Sequence, residues 1–340
     1  MTKNKDVIQA LDTLTGGRVV KSLHDITGGD HPFVIMKSSN IPGKEVIEIP
    51  GLIYGNPEKE INKLAVTMTL TEGSIELAGA TGVDAIVAHH PIAEAANSGG
   101  VPLKNYLDLY GLSVFELHES FHGLHPGIPF LHGHKVYRSE ICFGGLHGNV
   151  LFVGQAYPKV NTLGDMLSRL DTFMDFKEEE EVTNREKVIK QAESTIETTL
   201  VTRGRILIGE EESPVEHILH IFPHTGFSPD HLRQAVKEHP EADTVLASIS
   251  RVYEGHPLIE TARELGLHFI VGNSHALEIL ENGLPLAYAL DSLLPEVEVV
   301  VFRERITSTS LHEMGNQYMK DYGESMASKY LVNKATQVIL

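Results

Sequence analysis

The sequence of 340 residues contains a single cysteine, Cys142, and no tryptophan. One thiol excludes an intrachain disulfide and a thiolate-bound zinc knot, and it fits a reducing compartment. By the usual burial of unpaired cysteine, Cys142 is expected to be a small buried hydrophobe. Positive charge is also scarce: 28 Lys plus Arg stand against 46 Asp plus Glu, a formal net charge of −18. Such a chain repels phosphate backbones, so nucleic acid is not an expected partner, and neither is an anionic membrane. No apolar run is long enough to span a bilayer, and residues 1–6 are polar and lead into a helical pattern without the apolar core of a signal peptide. The expected location is cytoplasmic. No Gly-x-Gly-x-x-Gly or Walker lysine motif opens a helix, which removes the common nucleotide-binding folds. Ser248 and Ser250 have histidines nearby but no Gly-x-Ser-x-Gly elbow, so a serine hydrolase is not supported.

What the sequence does have is ordinary globular composition, 41% hydrophobic and 22% charged, together with 19 histidines. Its length exceeds one usual domain, so two lobes are the starting expectation. Residues 4–15 carry Val7, Ile8, Leu11 and Leu14 at helical spacing, and Gly16-Gly17 stops that helix. A strand over 64–68, a helix over 71–79 and a strand over 84–88 make an α/β unit. A helix over 103–110 and a strand over 112–115 follow. Residues 123–148 read as loop, with His125, His132, His134 and His147. Residues 160–200 read as helical and charged, and the acidic run 178–181 as a solvated helix end. A second unit repeats the order of the first: strands over 218–222, 244–247 and 269–271, with helices over 230–238, 258–265 and 276–282, and a last strand over 297–302. The fold class expected is α/β, two similar lobes with mixed, mainly parallel sheets. The organisation expected is a first lobe over 1–150, a charged helical connection over 151–215, a second lobe over 216–303 and a tail helix over 304–340.

Position selects which histidines matter. His89 and His90 sit at the carboxyl end of a strand, where open α/β sheets bind ligands. Neighbours on a strand point to opposite faces, but the turn before Pro91 can converge them or divide them between two metals. His118 and His122 follow the next strand at a spacing of four, with Glu119 between them; on a helix they would share a face, although the surrounding glycines and Pro126 favour a loop. His275 and Glu278 are three apart at a helix start, which puts an imidazole and a carboxylate on one face, as in carboxylate-bridged two-metal sites. His220 and His224 flank a strand end in the second lobe, where a hydrogen-bonded structural role is the simpler reading.

The run from Lys63 to Ile92, with Gly82-Val83-Asp84 before the strand that ends in His89-His90-Pro91, resembles the Nif-three-like dinuclear metal centre family, also called GTP cyclohydrolase I type 2 homologues. That family follows with a strand and a His-Thr-Asn-Leu-Asp-like motif; here the residues are His118-Glu119-Ser120-Phe121-His122, so His122 replaces the aspartate. Its later Gly-His-Tyr-x-x-Glu is matched, with the histidine displaced and the spacing shortened by one, by Gly272-Asn273-Ser274-His275-Ala276-Leu277-Glu278. The resemblance implies two divalent metal ions held by His89, His90, His122, His275 and Glu278 in a cleft between the lobes, with His118 as a supporting or proton-transfer group. Histidine in place of aspartate favours zinc, iron or nickel over magnesium or manganese. The implied function is a metal-dependent hydrolase of a small molecule, cyclohydrolase-like or acting on a phosphoester. The alternative is a non-catalytic metal-binding scaffold. The implied assembly is a homo-oligomer, a ring-shaped hexamer.

Overall fold

The computed structural model describes residues 1–38, 45–92, 103–146, 148–189, 197–198, 203–248, 252–273, 278–303, 307–308, 311–313 and 315–328. Met1–Met174 together with Arg203–Glu304 form one compact unit, which holds two mixed sheets. In the first sheet the order is β14 (Glu298–Val301), β4 (Lys63–Thr67), β5 (Ala85–Ala88), β6 (Ser113–Glu116) and β3 (Gly51–Tyr54), parallel except for β3. In the second, β10 (Arg205–Ile208), β13 (His268–Val271), β12 (Thr244–Ala247), β11 (His217–Ile221), β8 (Leu151–Ala156) and β7 (His134–Glu140) lie in that order. Strands β11, β12 and β13 are parallel, while β7, β8 and β10 pair antiparallel. A hairpin of β1 (Ile35–Ser38) and β2 (Glu45–Glu48) precedes β3.

Fully buried parallel strands should read as continuous apolar runs, and Leu64-Ala65-Val66 and Ala85-Ile86-Val87-Ala88 do, all at 0% exposure. Alternate residues feed two layers. Leu64, Val66 and Phe115 pack on Val7 and Leu11 of the first helix and on Leu286 and Leu290 of the helix Leu284–Leu293. Ile86 and Val114 pack on Ile75 and Ala78 of the helix Glu72–Thr81. In the second sheet Leu219 and Val245 face Leu232 and Leu258, whereas Ile218 and Leu246 face Leu163 and Met166.

The two sheets are built on one repeated plan, visible in hydrogen bonds rather than in residue identity. Asp84 accepts the backbone N–H groups of Asn62 and Lys63 on its Oδ2 (2.8 and 3.0 Å). Asp243 does the same for Glu216 and His217 (3.0 and 2.7 Å). Each aspartate thereby ties the start of its strand to the start of the neighbouring one, β5 to β4 and β12 to β11. The equivalence continues to the strand ends: His89 N donates to Thr67 O at 3.0 Å as Ser248 N donates to Ile221 O at 3.2 Å, and Leu117 N donates to Ala88 O as Gly272 N does to Ala247 O. Gly82, in the left-handed region at φ 68°, ends the helix before Asp84, which gives the Gly-x-Asp spacing a mechanical meaning. Replacing Asp84 or Asp243 by alanine strands two backbone donors, and each substitution is expected to lower stability by about 1.5–3 kcal/mol. Urea denaturation checks this; a loss below about 0.5 kcal/mol for both, the level of an ordinary surface change, would refute the tie.

Several elements differ from the sequence expectation. Residues 123–148 are not simply loop: they include a short helix, Gly127–Leu131, and the edge strand β7. The alternating polar sequence of β7 and its flanking glycines hid it, because an edge strand has little apolar content to signal. Strands β8 and β10 lie within the stretch read as a charged connection, and β14, expected within the second lobe, joins the first sheet beside β4. Cys142 is exposed rather than buried; it caps a 3-10 turn in which Phe143 takes the interior position.

Residues 175–202 and 305–340 form a second unit. Its described residues comprise the helix Phe176–Ile189, the pair β9 (Glu197–Thr198) and β15 (Thr307–Ser308), and the helix Gln317–Met326. Glu178, Glu180 and Glu181 are exposed, as a solvated acidic run should be. Among the described residues no helix is long and apolar enough to cross a membrane.

Candidate metal centre

Three segments following strands of the two sheets supply the histidines and carboxylates that converge. After β5 the chain keeps its register for two residues, His89 N bonding Thr67 O and His90 N bonding Met68 O, and Pro91 ends the strand. Glu116, the last residue of β6, fixes this segment by accepting the N–H of Ile92 at 2.8 Å on one oxygen and that of Ile49 at 2.9 Å on the other. After β6 the chain makes a turn in which Phe121 N and His122 N both bond His118 O. That turn puts His118 and His122 on one side, with ring centroids 4.7 Å apart. From the other lobe, Glu278 leads into a π-helical turn, Ile279–Gly283, a wide turn of the kind that recurs at functional sites.

Three of the four imidazoles set Nδ1 on an acceptor. His89 Nδ1 donates to the Leu117 carbonyl (2.9 Å), His118 Nδ1 to Glu48 Oε1 (2.9 Å) and His122 Nδ1 to Glu119 Oε2 (3.2 Å), while His90 Nδ1 bonds the Thr69 hydroxyl (2.8 Å). A carbonyl or carboxylate can only accept, so the Nδ1 atoms of His89, His118 and His122 carry a proton, whereas His90 Nε2 faces the Glu278 carboxylate and donates to it. The Nε2 atoms turn inward: His89 Nε2 lies 3.3 Å from His122 Nε2 and 3.4 Å from Glu278 Oε1, and His90 Nε2 lies 3.0 Å from Glu278 Oε2. Glu278 therefore presents one oxygen to each of the adjacent histidines. Asn282 Nδ2 donates to Glu278 Oε1 at 2.9 Å and orients it. Among the described residues, two groups have ligand atoms mutually within 4.8 Å: His89, His118 and His122, and Glu48, His118 and Glu119.

Electrostatics fit a cation. Burial pulls the pKa of His89 down to about 3, so its ring is neutral and its Nε2 an acceptor. Burial also works against a proton on His122, but the charge and hydrogen bond of Glu119, with Glu278 and Glu48 behind, outweigh it and raise its pKa. Burial opposes ionisation of Glu278 as well, yet the facing imidazoles of His89 and His90 hold it well below the ordinary carboxylate range. With its pKa raised, His122 donates through Nε2 to the neutral His89 Nε2 at 3.3 Å, so a proton supplies among the three buried carboxylates the positive charge that a cation would otherwise bring. Imidazole ligands whose far nitrogen is anchored to a carbonyl or carboxylate are the arrangement that metal sites use to fix tautomer and aim. The residues present suit borderline metals such as zinc, iron or nickel.

Of the residues singled out in the sequence, the structure brings together His89, His90, His118, His122 and Glu278; His275 lies outside the described residues. His118 belongs to both groups of ligand atoms, a more central position than a supporting role requires. Glu48, Glu119 and Asn282 were not singled out as site residues. Glu48, at 2% exposure in an otherwise apolar strand end, was signalled only by a charge in the wrong place. Asn282 was signalled by its spacing of four from Glu278.

The remaining central histidines do not converge. His134 Nε2 bonds His220 Nδ1 at 2.9 Å, and His220 Nε2 bonds the Ser248 hydroxyl at 2.6 Å, a linear chain inside the second lobe. His132 Nδ1 donates to Ile128 O at 2.8 Å. Burial first, then repulsion from His132 for His134 and from His132 and His134 for His220, keeps these rings neutral: about 4 for His132, about 3 for His134, and well below the ordinary value for His220. His220 thus has the hydrogen-bonded structural role expected of it.

The Duf34/NIF3 (NGG1p interacting factor 3) family model matches residues 34–96, the stretch that contains His89-His90-Pro91. No curated protein sequence matches the chain. Solved structures share its fold over most of its length. A Bacillus cereus protein related to NIF3 superposes with a TM-score of 0.55 at 11% identity, covering 91% of this chain and 99% of that one. Reduced HcgD from Methanocaldococcus jannaschii gives 0.54 at 16% identity, covering 88% and 97%. Staphylococcus aureus protein SA1388 gives 0.51 at 14% identity, covering 93% and 99%. The resemblance read in the His-His-Pro segment stands, and the α/β architecture of two mixed sheets is that of NIF3-related structures.

Proposed function

With a NIF3-type fold and two imidazoles turned onto one carboxylate, a third beside them, we propose that this chain binds two divalent metal ions and hydrolyses a small molecule. The observation that carries the reading is the convergence of the His89 and His122 Nε2 atoms beside Glu278, whose two oxygens face His89 and His90 separately. His89, His90, His122 and Glu278 are the proposed ligands, with His275 as a further one and zinc, iron or nickel as the metal. When bound, such ions polarise a carbonyl or phosphoryl oxygen and make water acidic.

The chain's own residues would do the rest. Glu119 and Leu117 O aim the imidazoles, and Asn282 aims Glu278. His118, tied at Nδ1 to Glu48, keeps Nε2 to carry a proton. In opening a ring amide or amidine, the water oxygen bonds to carbon, the C–N bond breaks, and the departing nitrogen takes a proton; His118 is placed to shuttle it. A carbonyl or amidine substrate is favoured over a phosphoester because no Lys or Arg is among the described residues lining the adjoining pocket.

The test is hydrolysis of a panel of cyclic amides, amidines and aryl phosphates by protein purified without a chelating tag. Turnover should vanish on chelation, return with zinc, iron(II) or nickel, and fall by about 100-fold or more in His118→Gln, the scale of a lost general acid–base group. Full metal occupancy with no turnover anywhere in the panel would leave the scaffold alternative. The proposed hexamer and cytoplasmic location accompany this reading, and light scattering measures the former directly.

A further inference from the structure

The carboxylate of Glu119 is hemmed in by imidazoles and by bare backbone. Its Oε2 accepts from His122 Nδ1 at 3.2 Å, and its Oε1 lies 3.9 Å from His118 Nδ1. Against the same two oxygens lies Gly148. A Cβ built on that residue would stand 2.5 Å from Oε1, 2.9 Å from the carboxyl carbon and 3.1 Å from Oε2, closer than nonbonded carbon and oxygen settle. Only a residue without a side chain lets the chain pass there. Gly148 also holds φ at 74°, in the left-handed region that glycine adopts at no steric cost. At 6% exposure, Glu119 has little room in which to retreat.

Gly148 is fastened from the other sheet. It leads into β8 through Asn149, which is fully buried and ties the turn together: Phe143 N donates to Asn149 O and Asn149 Nδ2 to Phe143 O, each at 2.9 Å, and Asn149 N donates to Leu146 O at 3.1 Å. Phe143 is itself 1% exposed and stacked on Phe227 at 5.8 Å and 14°. The backbone at Gly148 is therefore anchored in the core of the second sheet, whereas Glu119 follows β6 of the first. Where Glu119 sits decides where His122 points, and a ligand must be held to within about 0.5 Å and 10–20° of its working geometry.

We propose that Gly148 is a positioning residue of the metal centre: fixed to the core of the second sheet and presenting no side chain to Glu119, it sets the aim of His122 and His118. Through this contact the second sheet shapes the centre without supplying a ligand there. The inference rests on the metal-binding half of the proposed function and not on hydrolysis.

Zinc titration of the full, metal-stripped chain against a competing chelator tests it, with two alanine substitutions that meet the same backbone strain. Gly148→Ala should weaken zinc binding by about 10–100-fold, the cost of disturbing a ligand's supporting partner. Gly145→Ala also falls on left-handed backbone, at φ 77°, but nothing lies within 4 Å of the new Cβ. It should lower the melting temperature similarly and leave zinc affinity unchanged. In a Glu119→Asp background, whose carboxylate is one methylene shorter, Gly148→Ala should cost at least about 3-fold less zinc affinity than in the wild type, near the low end of coupling for residues in contact. Should Gly148→Ala fail to fold, it must fold in that background; a chain unfolded there too would overturn the proposal. So would equal zinc loss in Gly148→Ala and Gly145→Ala, no loss in Gly148→Ala, or costs that simply add in the Glu119→Asp background. A wild-type chain that binds no zinc would sink the metal reading instead. The imidazole nitrogen shifts of His122 in the metal-free chain then carry the test: they should move in Gly148→Ala and not in Gly145→Ala, and their failure to do so would overturn the positioning role.

Discussion

Glu278→Ala is expected to lower divalent-metal affinity by about 100-fold or more, beyond the 10–100-fold that loss of a merely supporting partner costs. The carboxylate faces two imidazoles at once, 3.4 Å from His89 Nε2 and 3.0 Å from His90 Nε2, so its removal strips a ligand from both halves of the centre. His89→Ala should approach the same loss, because its Nε2 stands next to both His122 and Glu278. Thr69→Val, which removes only the hydroxyl on His90 Nδ1, should cost about 10-fold. Metal titration against a competing chelator, with mass-spectrometric metal counts, reads all three. Glu281→Gln is the internal control: that side chain is equally buried, but it faces His132 at 3.6 Å. Equal metal loss in Glu278→Ala and Glu281→Gln would mean that disruption of the π-helical turn, rather than ligation, is being measured.

The metal-free protein should lose stability steeply as pH falls from about 6.5 toward 5. His132, His134 and His220 are buried and neutral, with pKa values pushed below the ordinary 6.5, to about 4 and about 3 for the first two. A depressed histidine pKa means that the unfolded chain binds the proton first. The stability is therefore intact above about 6.5 and drains away as pH drops toward the folded-state values. Each such ring contributes a slope of about 1.4 kcal/mol per pH unit within that window, so the three together approach about 4 kcal/mol per unit. Buried His89, at about 3, adds to the slope when no metal holds it. Glu281 acts in the other direction. Burial, then the charge of Glu278, raise its pKa well above 4.5, so its contribution is present below 4.5 and lost as pH climbs through the folded value. Urea denaturation at pH 7, 6 and 5 in chelator gives the slope, and His134→Gln should reduce it by one proton. A profile unchanged between pH 7 and 5, or a slope indifferent to that substitution, would exclude this account.

Much of the first lobe was legible because its signals are local. Apolar runs at 64–66 and 85–88, the helix stop at Gly16-Gly17 and the break at Pro91 each act within a few residues. His89, His90, His118 and His122 could be singled out for the same reason: each follows a strand. What could not be read were pairings across long separations. Nothing in Glu298-Val299-Val300-Val301 says that it pairs with Lys63–Val66, since any parallel apolar strand would accept it. Nor does Lys135-Val136-Tyr137-Arg138 announce a strand, because an edge position exposes one side to water. Glu48 illustrates the limit at the site: its carboxylate reaches His118 across 70 residues, and only the folded β1–β2 hairpin brings it there.

The paired aspartates, Asp84 and Asp243, bear on how such a protein can diversify. They mark two copies of one plan whose strand tips carry different cargo: His89 and the segment after β6 in one copy, Ser248 and the segment after β13 in the other, with Phe222 beside them. Because ligation is concentrated on the tips of the first copy, drift at Phe222, Thr225 and Ser248 leaves most of the ligands untouched. The first copy carries most of the proposed ligands, and Glu278, after β13, is what the second copy contributes to the centre.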